Sequence, residues 1–321
     1  MNPTAAIPRY RDLPRVADAE SPRTAWGYFG RSDEVGAVNW LQADVVRQAA
    51  SLVRWGSVFP LNWRLTMPDP PLLGRGPLRH VTKDLDPGTD DYYDNFYPQA
   101  SSQWDALRHV GHDRYGFYNG LPLEDPSELG ARRLGIEHWA TRGIVGRFVL
   151  LDVERHRAAR GHPLRADESV AVEVDELDDI LASEGLTLRR GDILLLRFGW
   201  IRWYEQLDRS QREWLAAQEM FDAPGLSPSE ATAEWLWDHH VSAVASDAPA
   251  LEVMPFDRSS VDGFLHYRLV AFLGLAVGEL FMLEALAEDC AATRVYEGLF
   301  VAAPLNMPGG AGSTANAIAM K

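Results

Sequence analysis

One short segment of the chain concentrates the side chains that could do chemistry. Residues 99–109 read QASSQWDALRH, so two Gln amides, a carboxylate and an imidazole fall within eleven residues. On an extended segment Gln99, Gln103 and Asp105 share one face, because side chains alternate along a strand. His109 reaches the same place if the chain enters a helix after Asp105, since residues four apart meet on a helix. The pattern fits a buried polar site and a solvated loop in which Asp105 caps the next helix about equally well.

Aromatic residues flank this segment. Trp104 lies within it, and Tyr97 precedes it in the run YYDNFYP. Such a cluster either belongs to the core or lines a pocket for a flat substrate. We expect Trp104 and Tyr97, with Gln99 and Gln103, to contact the substrate.

The stretch 67–94 is dense in Pro, Gly and Asp and shows no hydrophobic periodicity. We therefore expect an irregular functional loop there. Its histidine, His80, is either an ordinary solvated side chain or a group that closes over the substrate.

Hydrophobic patterns on both sides of the segment predict a mixed α/β fold. Apolar, β-branched runs predict buried strands at 143–153, 189–200 and 241–245, with a further strand at 296–302. Helical spacing predicts helices at 43–55, 174–184, 230–239 and 264–273, and 57–65 is typical of a strand. The opening segment to about residue 33 is rich in Pro, Arg and Asp, and we expect it to lie along the surface.

Composition limits the classes of function. The formal net charge is -15, which argues against binding to nucleic acid or to an anionic membrane. Cys290 is the single cysteine, so no intrachain disulfide can form. No apolar run reaches the roughly 18–20 residues of a membrane span, and the first ten residues do not read as a signal peptide. We expect a cytoplasmic protein.

The chain resembles the cyclase family that includes kynurenine formamidase and isatin hydrolase. That family carries the motif His-x-x-x-His-x-Asp-x-x-x-His, and Asp105 and His109 match its last two elements. Gln99 and Gln103 stand where the family has two metal-binding histidines. His266 in FLHYRL is similar to the family's later histidine. Further similar segments are DVVRQAASLVRWG, GIVGRFVLLDV, RRGDILLLRFGW, VASDAPALEVMP and APLNMPGGAGSTANAIAMK, so the resemblance covers roughly residues 25–321.

Glu279 in AVGELF is similar to the glutamate that completes the family's metal site. The resemblance therefore implies a divalent metal bound by the following residues: Gln99, Gln103, Asp105, His266 and Glu279. It also implies catalytic roles for His109, Asp105, Glu279 and His266. Two amides in place of two imidazoles favour Mn²⁺ or Mg²⁺ over Zn²⁺.

Three functional hypotheses follow from this resemblance. The first is a hydrolase that opens a formamide, cyclic amide or lactone with an activated water. The second is a metal-free cyclase or dehydratase of secondary metabolism, in which the same acids and imidazoles act directly and the Gln amides hold the substrate. The third is a relative without catalytic activity that binds a small molecule.

The resemblance also implies the architecture. We expect a single domain spanning residues 1–321, with an extended N-terminal segment at about 1–33. Its core is a mixed β-sheet flanked by helices in the swivelling β/β/α arrangement, and the protein is expected to form a homodimer.

Overall fold

The computed structural model describes residues 7–124 and 132–321. The first six residues of the predicted N-terminal segment lie outside the described residues. The strands are β1 (Val58–Pro60), β2 (Arg79–Leu85), β3 (Gly88–Asp94), β4 (Gln103–Asp105), β5 (Ile144–Asp152), β6 (Ala171–Val172), β7 (Ile193–Arg197), β8 (Gly225–Leu226), β9 (Ala243–Ser246), β10 (Ala276–Glu279), β11 (Glu297–Ala302), β12 (Gly312–Thr314) and β13 (Ala317–Met320).

Helices alternate with these strands. The α-helices are α1 (Ala43–Ala50), α2 (Glu137–Arg142), α3 (Val153–Ala159), α4 (Val174–Glu184), α5 (Trp200–Gln206), α6 (Arg209–Ala216), α7 (Glu230–Asp238) and α8 (Glu284–Thr293). Short 3₁₀ turns lie at Tyr10–Asp12, Gly36–Trp40, Pro98–Ala100 and Tyr118–Gly120, and a π-helix lies at Tyr267–Leu273. In residues 7–124 and 132–321, no helix combines the length and the apolarity that a membrane crossing requires.

Nine strands form one curled mixed sheet in the order β1-β13-β11-β5-β7-β9-β10-β4-β12. The four central strands, β5, β7, β9 and β10, are parallel to one another, and the remaining pairs are antiparallel. Parallel strands need crossover connections: α3 and α4 lie between β5 and β7, α5 to α7 lie between β7 and β9, and the π-helix lies between β9 and β10. Helices then cover the sheet, so strands such as β7 are buried along their whole length. The mixed α/β fold predicted from the sequence is confirmed.

Most predicted elements are present with shifted ends. The helix expected at 174–184 is α4, and the strand expected at 143–153 is β5. The helix expected at 264–273 is present, but from Tyr267 onward it is a π-helix.

The expectation of an irregular loop at 67–94 is wrong in its second half. There β2 and β3 pair as an antiparallel hairpin, with Leu85 opposite Gly88 at its tip. Every residue of these two strands is exposed except Val81, which is partly buried. The sequence lacks apolar alternation there because neither face of the hairpin packs on the core of this chain.

The N-terminal segment is more buried than expected from its composition. Tyr10, Leu13 and Ala25 are buried, and the Ala25 amide donates to the Phe272 carbonyl at the end of the π-helix. The Trp26 indole also donates to the Ala271 carbonyl. Part of the segment therefore packs against the helix that follows His266.

Candidate active site

The pairing of β4 with β10 brings two distant carboxylates together. In the antiparallel register, Gln103 lies opposite Glu279 and Asp105 lies opposite Val277. Directly opposed residues of an antiparallel pair project from the same face of a sheet. Gln103, Asp105 and Glu279 therefore share one face, and all three side chains are buried. The expected common face for Gln103 and Asp105 is present because the segment is a strand.

Trp104 lies on the opposite face of β4, and the expectation that it contacts the substrate is corrected here. Its ring is fully buried and packs edge-on against Phe281 and Phe300. Its indole N–H donates to the Ala315 carbonyl. Trp104 is a core residue that anchors β4, because alternation along the strand directs it away from Gln103 and Asp105.

His266 completes the buried group. Its Nε2 lies 3.3 Å from Asp105 Oδ2 and 3.2 Å from Glu279 Oε1. Its Nδ1 faces a third carboxylate, at 2.9 Å from Glu252 Oε1 and 2.8 Å from Oε2. Phe264 stacks on the imidazole at a centroid distance of 4.8 Å and an interplanar angle of 12°. Two contacts on one ring, one polar and one aromatic, fix the direction in which Nε2 points.

His109 reaches Asp105 through a turn and not through the helix expected after Asp105. The His109 amide donates to the Ala106 carbonyl at 2.8 Å, which closes a single turn. Its Nε2 lies 3.5 Å from Asp105 Oδ1. The His109 side chain is 27% exposed, whereas the Asp105 side chain is fully buried. His109 therefore lies between the buried group and solvent.

The two Gln side chains occupy different positions. The Gln103 Nε2 donates to Glu279 Oε2, and its Oε1 is buried with no hydrogen-bond partner among the described residues. Gln99 is partly buried, and its amide lies against Gly312, the residue opposite Asp105 on β12. A Cβ at position 312 would be 2.6 Å from Gln99 Nε2, so glycine makes room for this amide. Both Gln side chains thus border the buried carboxylates.

The pKa values of Asp105 and Glu279 are shifted in opposite directions. Burial raises the pKa of Asp105, but the imidazoles of His109 and His266 and the guanidinium of Arg75 outweigh it, and the pKa is lowered. Burial and the charge of Asp105 raise the pKa of Glu279, although His266 opposes this. One carboxylate of the pair therefore favours the charged form and the other favours the protonated form.

The pKa of His266 is raised well above its usual value. Burial alone would lower it, but the charge of Glu252 and hydrogen bonds to Asp105, Glu252 and Glu279 outweigh that effect. Without a bound cation, His266 is therefore expected to carry a proton at neutral pH.

The donor atoms fit a divalent cation. One ligand atom each from Asp105, His266 and Glu279 lie within 4.8 Å of one another. The Asp105 oxygens face only the imidazole nitrogens of His109 and His266, at 3.5 and 3.3 Å, and Gln103 Oε1 has no hydrogen-bond partner in residues 7–124 and 132–321. Carboxylate and amide oxygens are the ligands that a hard cation such as Mn²⁺ or Mg²⁺ prefers.

His80 and Tyr97 lie outside the buried group. His80 is on β2, where it pairs with Asp91 at 2.7 Å and stacks on Tyr93. Its side chain is 49% exposed. Tyr97 is 43% exposed and lies two residues before Gln99. The structure does not bring either side chain into the buried group, so their role in substrate binding stays a prediction.

No sequence pattern indicated two further residues near the site, Glu252 and Arg75. Glu252 follows a buried strand by six residues in a run without periodicity, and a single carboxylate there carries no signal. Arg75 stands in a Pro/Gly-rich stretch where arginine is unremarkable in composition. The segment VASDAPALEVMP was recognised as similar to the family, but its glutamate was not singled out.

The environment of His266 predicts how its protonation depends on pH. A histidine whose pKa is raised on folding stabilises the folded state fully below about pH 6.5, the pKa of an unfolded histidine. That contribution is lost as the pH rises through the higher folded pKa. In metal-free protein, the His266 ring signal followed by NMR should therefore titrate above pH 6.5. Glu252→Gln should lower this pKa, because it removes the strongest attractive charge on the ring.

The His266 signal is assigned by its disappearance in His266→Gln. A His266 pKa that is unchanged by Glu252→Gln would contradict the charge interaction.

Comparisons with known proteins show the family of this chain. A family model described as "Putative cyclase" matches residues 51–253, which include Gln99–His109 and Glu252 but end before His266. The crystal structure of a cyclase is 32% identical, with a TM-score of 0.81, and the alignment covers 93% of this chain and 99% of that chain. No curated protein gives a significant match.

More distant structures share the fold. Isatin hydrolase A from Labrenzia aggregata is 15% identical, with a TM-score of 0.60, covering 84% of this chain and 94% of that one. Isatin hydrolase A from Ralstonia solanacearum is 16% identical, with a TM-score of 0.58, covering 83% and 92%. The predicted resemblance is thereby confirmed, and this chain belongs to the cyclase family.

Proposed function

We propose that this protein is a hydrolase that depends on a divalent cation and opens a formamide, cyclic amide or lactone. The observation that carries the proposal is the buried group of Asp105, His266 and Glu279, whose ligand atoms lie within 4.8 Å of one another. Membership of the cyclase family, with isatin hydrolases among the structures of the same fold, supports an enzyme that attacks a carbonyl.

Charge balance favours a cation at this position. Asp105 and Glu252 are 0% exposed, and Glu279 and His266 are 4% exposed. With all three carboxyl groups ionised, the buried group would carry an excess of two negative charges even beside a protonated His266, and the raised pKa of Glu279 in the cation-free protein reflects this crowding of negative charge. An uncompensated buried charge costs several kcal/mol, and a divalent cation would offset the excess.

In this mechanism Asp105, Glu279 and His266 Nε2 would hold the cation, with Gln103 Oε1 and Gln99 beside it. The cation, when bound, supplies Lewis acidity, which makes a water more acidic and polarises a carbonyl. His109 is the most exposed of the four predicted catalytic groups, so a substrate entering from solvent would reach its imidazole first. Its Nε2 accepts the proton of the attacking water and returns it to the leaving nitrogen or oxygen as the C–N or C–O bond breaks.

The second candidate is a cyclase or dehydratase that works without metal. Two observations favour it: Gln103 donates to Glu279, and the pKa of Glu279 is raised. A protonated Glu279 could then donate a proton while the charged Asp105 accepts one. In this case Gln99 and the Gln103 Oε1 would bind the substrate by hydrogen bonds.

Removal of the cation separates the two candidates. Chelation should lower turnover of a panel of formamides, lactones and cyclic imides more than about 100-fold, because a bound cation lowers the activation barrier by several kcal/mol. Mn²⁺ should restore turnover better than Zn²⁺, since the ligands are rich in oxygen. The measurement is the rate before chelation, after chelation and after each ion is added back, with chelator presaturated with Mn²⁺ as control. Full activity in metal-free protein, verified by elemental analysis, would refute the metal mechanism.

The Gln pair makes a prediction of its own. Gln99→His combined with Gln103→His should bind Zn²⁺ more tightly than the natural protein, because imidazole is the better ligand for Zn²⁺. Calorimetry of Zn²⁺ binding measures the change, and Gln206→His, at an exposed position, controls for an added surface imidazole. A folded double variant with unchanged Zn²⁺ affinity would show that these positions do not face a common point.

We also propose that the protein is a homodimer and that the β2–β3 hairpin takes part in the contact. Leu85, Tyr92 and Tyr93 on this hairpin are 55%, 45% and 51% exposed. A two-stranded hairpin is marginally stable by itself, so packing against a second copy would stabilise it. Tyr92→Ser with Tyr93→Ser should yield a monomer by light scattering, whereas Trp214→Ser, at another exposed position, should not. A natural protein that is already monomeric would contradict the proposal.

A further inference from the structure

Helices α5 and α6, with the turn that follows α6, enclose a cavity that neither candidate mechanism uses. Its volume is about 570 Å³, which lies in the range of pockets that hold small organic ligands. It shares no residue with the buried group of Asp105, His266 and Glu279. Six of the eleven residues in its wall are apolar, and three of these are aromatic: Trp203, Leu207, Trp214, Leu215, Met220 and Phe221.

Two of the aromatic rings in the wall are held in place by the core. Phe221 is buried and stacks on the buried Trp200 ring, with a centroid distance of 6.4 Å and an interplanar angle of 27°. Trp203 packs on the same ring at a centroid distance of 5.8 Å. This part of the cavity is therefore formed before any ligand arrives, which reduces the entropy that is lost on binding.

Helix α6 contributes one of its faces to the wall. Asp208 and Gln211 form a capping box that starts the helix. Ser210 and Trp214 are four residues apart, as are Gln211 and Leu215, so these side chains lie on one side of the helix. Trp214 is 65% exposed and makes no ring contact with the rest of residues 7–124 and 132–321. A large aromatic ring that is open to solvent beside an apolar cavity is available to a ligand.

The charged residues in the wall are both acidic. Asp167 forms an ion pair with Arg165 at 2.9 Å, so its charge is balanced. Asp222 accepts a hydrogen bond from the Ser169 hydroxyl at 2.7 Å, but it has no ion-pair partner in the described part of the chain. The described residues of the wall include no Lys, Arg or His. One unbalanced carboxylate, in a protein with a net charge of -15, favours a cationic ligand over an anionic one.

We propose that this cavity binds a small organic cation, an ammonium group carried on an aryl or alkyl chain. The ammonium group lies at Asp222, and the apolar part lies against Trp203, Trp214 and Phe221. Indole faces also attract cations, so the aromatic wall itself favours a cation over a neutral molecule of the same shape. This site is additional to the proposed hydrolase site, and the inference does not depend on that function.

The test compares two probes of similar shape, phenethylamine, which is protonated at neutral pH, and phenethyl alcohol. Calorimetry with the natural protein should show tighter binding of the amine. Asp222→Asn should weaken amine binding about 3- to 10-fold, because the charge interaction is lost, and should leave alcohol binding unchanged. Asn keeps an oxygen that can accept from the Ser169 hydroxyl, so the local fold is retained. Asp175→Asn, at an exposed position outside the cavity, is the matched control and should bind both probes as the natural protein does.

The aromatic wall is tested by a second pair of variants. Trp214→Ser should weaken the binding of both probes severalfold, because it removes an apolar surface that the two probes share. Trp214→Phe should retain most of the affinity, since it keeps an aromatic ring at the same position. Trp214 is largely exposed, so neither variant is expected to disturb the fold.

Absence of amine binding, or equal affinity for amine and alcohol, would overturn the proposal. So would an amine preference that Asp222→Asn leaves intact, or that Asp175→Asn lowers equally, since net charge alone would then explain it. Amine that binds the buried carboxylates instead would be displaced by Mn²⁺ and would be insensitive to Trp214→Ser, which would also refute the site. If Trp214→Ser made the protein monomeric by light scattering, the cavity would be a contact between two copies of the chain and the proposal would be wrong.

Discussion

Strand β4 is three residues long, and its position between β10 and β12 determines which side chains can meet in this molecule. Asp105 and Gln103 face Glu279 because the antiparallel register places Gln103 opposite that residue. Trp104, the residue between them, is held on the other face by two aromatic rings and a hydrogen bond to Ala315. A slip of one residue would reverse both faces, turning Gln103 and Asp105 toward the aromatic core and the indole toward Glu279. The large apolar ring therefore fixes the register on which the polar face depends.

Burying polar side chains costs free energy, and hydrogen bonds from neighbouring residues offset part of that cost here. Leu251 donates its amide to Glu279 Oε1 at 3.2 Å, and the next residue, Glu252, holds His266 Nδ1. One turn of chain after β9 thus supports two of the buried groups at once. A carboxylate on the far nitrogen of a ligand histidine fixes the orientation of the ring and increases its basicity. This arrangement keeps Nε2 directed at Asp105 and Glu279 whether it bears a proton or binds a cation.

The sequence predicts the elements far better than it predicts how they meet. Helix α4 and strand β5 were found from their apolar spacing, because each buries a continuous face against the sheet. No spacing rule connects Asp105 with Glu279, which lies 174 residues further along the chain. Their proximity was expected from the family resemblance, and it arises from the strand order, which local patterns do not encode. Glu252 was missed for the same reason, since its only signal is the position of His266 in space. The β2–β3 hairpin was missed because strands exposed on both faces lack the alternation by which strands are recognised.

The resemblance to the family implies that Gln103 stands in place of a metal-binding histidine, and this bears on how the chemistry is divided between side chains. An imidazole that binds a cation has one ring nitrogen left for a partner, whereas a Gln amide presents a donor and an acceptor from the same planar group. Here the donor is directed to Glu279 and the acceptor is left without a partner. The amide therefore holds one oxygen of Glu279 in place while its own oxygen faces the buried group. That oxygen is a weak ligand for a soft transition metal and an adequate one for a hard cation or for a substrate N–H. Both candidate mechanisms use this atom, and they differ in whether its partner is a cation or the substrate itself.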